Sequence, residues 1–141
     1  MATKADFTED EWNAMQKGVT GAGMLVSVSD RDFTDSFGEA GALAKYLAEQ
    51  SEQNDSPLIR ELAHIRGSGF GLTASPQKVE AETLASLRSA TATLAAKAPD
   101  ETGAYRQLVL GVAGQVASAK GGVKSGETEA TDKIKEALGS T

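Results

Sequence analysis

The sequence predicts an all-α fold, a single-domain bundle of about six helices, and two kinds of observation predict it. Apolar residues recur in steps of three and four, and no segment sustains the two-residue alternation of a strand. Helix-start signals return at intervals of one helix length, either Ser/Thr followed three residues later by Glu, or Ser followed by Pro. At 141 residues the chain can bury one core. The expectation is one domain over 1–141, with 1–6 and 140–141 flexible.

The elements follow in order. In "DFTEDEW", Thr8 is an N-cap with Glu11 at the capping-box position, and Phe7 and Trp12 flank it as a hydrophobic staple. Trp12, Met15, Val19, Ala22 and Val26 then line one face, which predicts helix 1 over 9–28. Ser36 and Glu39 offer a second capping box, with Phe37, Ala40, Leu43, Ala44 and Leu47 as the apolar stripe of helix 2. "SEQNDSP" breaks it. Ser56-Pro57 opens helix 3, with Leu58, Leu62 and Ile65 inward, and "GSGFG" (67–71) closes it. Ser75-Pro76 opens helix 4, carrying Val79, Leu84, Leu87, Thr91 and Leu94. After "APDETG", helix 5 carries Tyr105, Leu108, Val109, Val112 and Val116. "KGGVKSGE" turns the chain into helix 6, with Ala130, Ile134 and Leu138 inward and Gly139 as its C-terminal cap.

A shift of ninety positions lays helices 1 and 2 over helices 5 and 6. Val19 meets Val109, Gly21 meets Gly111, Val26 meets Val116, Glu39 meets Glu129 and Lys45 meets Lys135. Apolar phase alone would not require the shared glycines or the Glu39/Glu129 pair. The pattern predicts two pseudo-symmetric helical hairpins, about 9–50 and 100–138, with helices 3 and 4 completing the bundle. Gly18, Gly21 and Gly23 inside helix 1 each cost about 1 kcal/mol relative to alanine. A close helix crossing offsets such a cost; a ligand groove is the alternative reading.

Composition narrows the function. There is no cysteine, which removes disulfides and thiolate metal sites. The start "MATKADFTEDEW" has no apolar run of the secretory type, and "GAGMLVSV" is too short to span a bilayer, so the expected location is the cytoplasm. Residues 1–55 hold eleven acids against four bases, and 56–141 hold nine against ten; together they give the net charge of −6. An acidic front half repels phosphate backbones and anionic lipid, and suits a cation or a basic protein partner.

The acidic turn "SVSDRDFTDSFGEA" is the first candidate site. Asp30, Asp32, Asp35 and Glu39 could supply carboxylate oxygens to a hard cation such as Ca²⁺ or Mg²⁺. An EF-hand is excluded, because Asp35 stands where that loop needs glycine and Gly41 where it needs glutamate. The other reading of the same residues is a cap for helix 2 at its positive dipole end. "GSGFG" lacks the strand and the Lys-Ser/Thr of a phosphate loop. His64, the one histidine, falls in the polar phase of helix 3 with no catalytic or zinc partner nearby in sequence.

The stretch "AKGGVKSGETEATDKIKEALG" (119–139) resembles the C-terminal hairpin of TerB-like, tellurite-resistance-type helical proteins. In that family an Ala-Asp-Gly-x-apolar turn with a helix-opening Glu recurs in pseudo-symmetric hairpins. Gly121, Val123 and Glu127 match it, with Lys120 in place of the Asp; in the first hairpin Asp30 and Phe33 match, with Arg31 for the Gly and Phe37 for the Glu. The start "FTEDEW" and the turn "GGVKSGE" also resemble a set of small bacterial helical proteins. The resemblance implies a helical fold and divalent-cation binding at the acidic turns, which adds Glu127 to the candidate ligands.

The functional expectation is a non-enzymatic cytoplasmic interaction or stress-associated protein of TerB-like type, acting through an acidic surface or a helical groove on a protein partner or on itself. A weak divalent-cation or small-ligand module centred on Asp30, Asp32, Asp35, Glu39 and Glu127 is the alternative, and a structural homo-oligomer is a third. No nucleic acid, membrane span or cofactor is expected, apart from Ca²⁺ or Mg²⁺ under the second reading. Only that reading requires divalent ions to raise the melting temperature.

Overall fold

A computed structural model of the chain describes residues 4–28, 36–64, 76–119 and 125–139, with side chains over 4–26, 44–64, 77–115 and 131–139. Six α-helices and no strand run through the described residues: α1 (Glu9–Val28), α2 (Ser36–Gln53), α3 (Pro57–Ala63), α4 (Pro76–Lys97), α5 (Thr102–Ala119) and α6 (Ser125–Ala137). Short 3-10 turns at Lys4–Asp6 and Pro99–Glu101 precede α1 and α5.

α1 starts as its local chemistry dictates. The Thr8 N–H donates to Glu11 Oε1 at 2.8 Å, and the Glu11 N–H donates to Thr8 Oγ1 at 3.1 Å, so a reciprocal capping box satisfies two groups that helix geometry leaves open. Phe7 and Trp12 close the staple, their rings tilted by 45° with centroids 6.2 Å apart. The whole stripe from Trp12 to Val26 is buried.

Glu11 has a second partner. The Lys97 ammonium, in the last turn of α4, donates to Glu11 Oε1 at 2.6 Å and to the Asp6 carbonyl at 3.3 Å. The Lys97 bond first, then the Thr8 N–H, holds the Glu11 carboxyl below the ordinary value of 4.5. A carboxyl depressed in the folded state stabilises the fold above its unfolded value, and that contribution is lost as pH falls through the folded one. Glu11→Gln should therefore flatten the acid limb of a melting-temperature profile taken from neutral pH down to about pH 3. An unchanged limb would separate Glu11 from acid unfolding.

Ser56 caps α3, its hydroxyl accepting from the Ile59 N–H at 3.3 Å and donating to Glu101 Oε2 at 2.6 Å, which ties α3 to the turn before α5. α3 ends at Ala63, ahead of the glycine cluster where the sequence places its end. The His64 N–H turns back to the Glu61 carbonyl at 3.1 Å. Gln16 Nε2 on α1 then reaches the His64 carbonyl at 3.3 Å and the Leu62 carbonyl at 3.5 Å. His64 is thus an exposed cap residue beyond the helix, and Ile59 joins Leu58 and Leu62 in the core. Ile65 lies outside the described residues. At the other end of the chain Gly139 takes φ +73°, the left-handed position of a C-terminal cap, and its N–H returns to the Glu136 carbonyl at 3.1 Å. Arg106 donates to the carbonyls of Leu138 and Gly139, fastening the end of α6 to α5.

The helices sort around α1, which packs most extensively on α4 and then on α5 and α6, while α2 lies on α5 and α3. α1 and α2 meet only at a few points. The apolar faces of the first predicted hairpin are therefore buried mainly against other helices. Glycines explain why. A Cβ on Gly21 would lie 2.2 Å from the Thr83 hydroxyl of α4, and one on Gly18 would lie 2.6 Å from the Tyr105 hydroxyl of α5 and 2.9 Å from Leu87 Cδ2 of α4. α4 and α5 fill the space over Gly18 and Gly21, so these two mark close crossings. Gly111 leaves room for the Tyr46 hydroxyl of α2, which a Cβ would meet at 1.9 Å. Gly21 and Gly111, ninety positions apart, thus receive unlike neighbours from unlike helices. On α2 the apolar phase puts Ala44 in the stripe; it is exposed, and Tyr46 and Leu47 face the bundle. Phe37, Ala40 and Leu43 have side chains outside the described residues.

Candidate functional site

Asp30, Asp32 and Asp35 lie outside the described residues. Glu39 falls in the first turn of α2 and Glu127 in the first turn of α6, and their side chains lie outside the description as well. Among the described residues no three His, Cys, Asp or Glu side chains are grouped to hold a metal ion. No described helix is long and apolar enough to cross a membrane.

A different feature comes from the packing of α1 on α3. Where the N-terminal turn crosses the start of α1 and meets the end of α3, an open cleft of about 1040 Å³ forms. Phe7 and Trp12 make its floor, both largely buried, and Glu9, Asn13, Glu61 and His64 are exposed around it. The staple fixes the two rings, and Gln16 fixes the end of α3 beside them.

Its electrostatics are mixed: the Lys4 ammonium and the N–H end of α1 stand beside two carboxylates. Glu9 and Glu61 place carboxylates on the rim, and α3 ends here with its carbonyls, the negative end of a helix dipole. Aromatic ring faces add a negative quadrupole, which attracts an ammonium or guanidinium group within about 6 Å of the centroid. Two lysines already use these rings. Lys4 Nζ stands 5.6 Å from the Trp12 centroid and Lys97 Nζ 5.8 Å from the Phe7 centroid. The Lys4 backbone N–H also donates to Glu61 Oε2 at 3.3 Å. The arrangement holds a lysine with its ammonium over an indole face and its backbone N–H on a carboxylate.

The Phe7/Trp12 pair was visible in the sequence as a helix-start signal. Glu61 and His64 were not part of any motif with it, because they reach the cleft through contacts with Lys4 and Gln16 across 57 and 48 positions of chain. A deeply buried polar group also escaped sequence reasoning: Thr83 Oγ1, packed against Gly21, has no hydrogen-bond partner among the described residues. Compared with known protein families, characterised proteins and solved structures, the chain shows no match.

Proposed function

We propose that this chain is a non-enzymatic cytoplasmic interaction protein, of the TerB-like kind that its 119–139 turn resembles, and that it takes a lysine- or arginine-bearing segment of a protein partner in the cleft between α1 and α3. The observation that supports this is the cation already seated there, the Lys4 ammonium over the Trp12 ring, with the Glu9 and Glu61 carboxylates on the rim of the same cleft. The acidic first half of the chain adds long-range attraction for a basic partner and speeds its encounter. In this reading the acidic rim selects charge, and the aromatic floor selects a side chain that can lay its cation on a ring.

A fluorescently labelled peptide of alternating lysine and glycine tests it. Binding should weaken with salt and fall at least about tenfold when Glu9 and Glu61 are both changed to lysine, since each reversal replaces an attraction by a repulsion. A peptide of alternating glutamate and glycine should not bind. Equal binding by the wild type and the double variant would remove the cleft from the interaction.

A further inference from the structure

The same cleft carries a regulatory contact. Resting on the reading above, we propose that Lys4 is an internal occupant of the site: its ammonium holds the position over Trp12 that a basic side chain of the partner takes, so the Lys4 side chain competes with the partner.

Three observations lead there. Lys4 makes the ring contact a basic side chain would make, its ammonium 5.6 Å from the indole centroid. The turn that carries it is held through its backbone, by Glu61 on the Lys4 N–H and Lys97 on the Asp6 carbonyl, while the Lys4 ammonium rests on the ring. Lys4–Asp6 is a single 3-10 turn with no buried residue, closed by the Phe7 N–H on the Lys4 carbonyl at 3.1 Å. Among the described residues Phe7 is the first largely buried side chain, so the Lys4 ammonium can leave the ring while the staple stays in place. The other lysine over this aromatic pair is fastened differently: Lys97 is bonded to Glu11 at 2.6 Å and to the Asp6 carbonyl, and it belongs to the last turn of α4. Of the two cations on the aromatic pair, Lys4 is therefore the one built to be exchanged.

An occupant that must leave before a ligand enters raises the apparent dissociation constant to the intrinsic one divided by the fraction of time the site is free. Removing it should reverse that effect. Trp12 is the only tryptophan of the chain, so its emission reports on the site directly. The test titrates the lysine–glycine peptide into the wild-type chain, Lys4→Gln and Lys45→Gln, following both peptide anisotropy and Trp12 emission. Lys45 is exposed on α2, away from the cleft, and supplies the same change of net charge.

Lys4→Gln should bind the peptide at least about threefold more tightly than Lys45→Gln, the size expected of a partly exposed cation–π contact. It should also shift Trp12 emission before peptide is added, and peptide should return the emission toward the wild-type position. Equal affinity of the two variants would overturn the competition while leaving the basic-partner reading intact. Weaker binding by Lys4→Gln would show that Lys4 builds the cleft, which also overturns it. Absence of binding by all three proteins would defeat both the reading and the inference.

Discussion

Replacing Gly21 by alanine should lower the stability of the chain by about 2 kcal/mol, although alanine is the better helix former. The propensity gain is about 1 kcal/mol, and overpacking of a close crossing costs up to about 3 kcal/mol. The crossing decides which wins. The new methyl would sit 2.2 Å from Thr83 Oγ1 and 3.0 Å from both Cβ and Cγ2 of the same residue. Thr83 is fully buried and β-branched, so no rotation of its side chain clears all three atoms. α1 and α4 must part instead, across the most extensive helix contact of the fold. Urea unfolding should show a lower midpoint with an unchanged slope. Thr83→Ala in the same chain should recover much of the loss, because it removes the hydroxyl and one methyl and leaves only the 3.0 Å contact with Cβ. Gly114 supplies the opposite sign. It is exposed on α5, and a methyl added there would meet nothing within 4 Å, so Gly114→Ala should stabilise by up to about 1 kcal/mol. Equal responses at Gly21 and Gly114 would mean that helix propensity, and not the crossing, governs both sites.

Truncating Tyr105 should cost more, about 3–5 kcal/mol for Tyr105→Ala, as for other large aromatic side chains in a core. Tyr105 is wholly buried on α5, and its hydroxyl donates to the Met15 carbonyl of α1 at 2.7 Å. Burial pushes the phenol well above its usual value, so it remains a neutral donor wherever the chain is folded. Tyr105→Phe separates the two contributions: it keeps the ring, removes one buried hydrogen bond and should cost about 1 kcal/mol. The same hydroxyl crowds Gly18. Gly18→Ala should therefore be less damaging in the Y105F background than alone, with Leu87 Cδ2 at 2.9 Å keeping the relief partial. Additive losses would show that the hydroxyl does not limit the approach of α1 to α5.

Much of this architecture was legible because its signals are local. The limits of α1, its capping box and its buried stripe depend on residues within four positions of one another, and Glu9–Val28 forms as the spacing requires. The Ser56 cap of α3 and the left-handed Gly139 are read the same way. Where sequence reasoning failed, the deciding group was remote. Ala44 fits an apolar stripe by phase, yet a single methyl does little to choose a face, and the larger Tyr46 and Leu47 oriented α2. α3 stops at Ala63 beside Gln16, a residue of another helix that bonds to its last carbonyls. The cleft was invisible for the same reason, since Lys4, Trp12 and Glu61 belong to no common motif.

The amino-acid sequence by itself determined an all-α chain, the starts of its helices and the residues on most of their apolar faces, because hydrogen-bonded caps and helical periodicity act over one turn. Tertiary structure decided which faces meet: α4 and α5 over the glycines of α1, α2 on α5, and α3 against the start of α1. That choice belongs to shape, since an apolar stripe can pack on any other, and only the fit of Thr83 to Gly21, Tyr105 to Gly18 and Tyr46 to Gly111 selects among them.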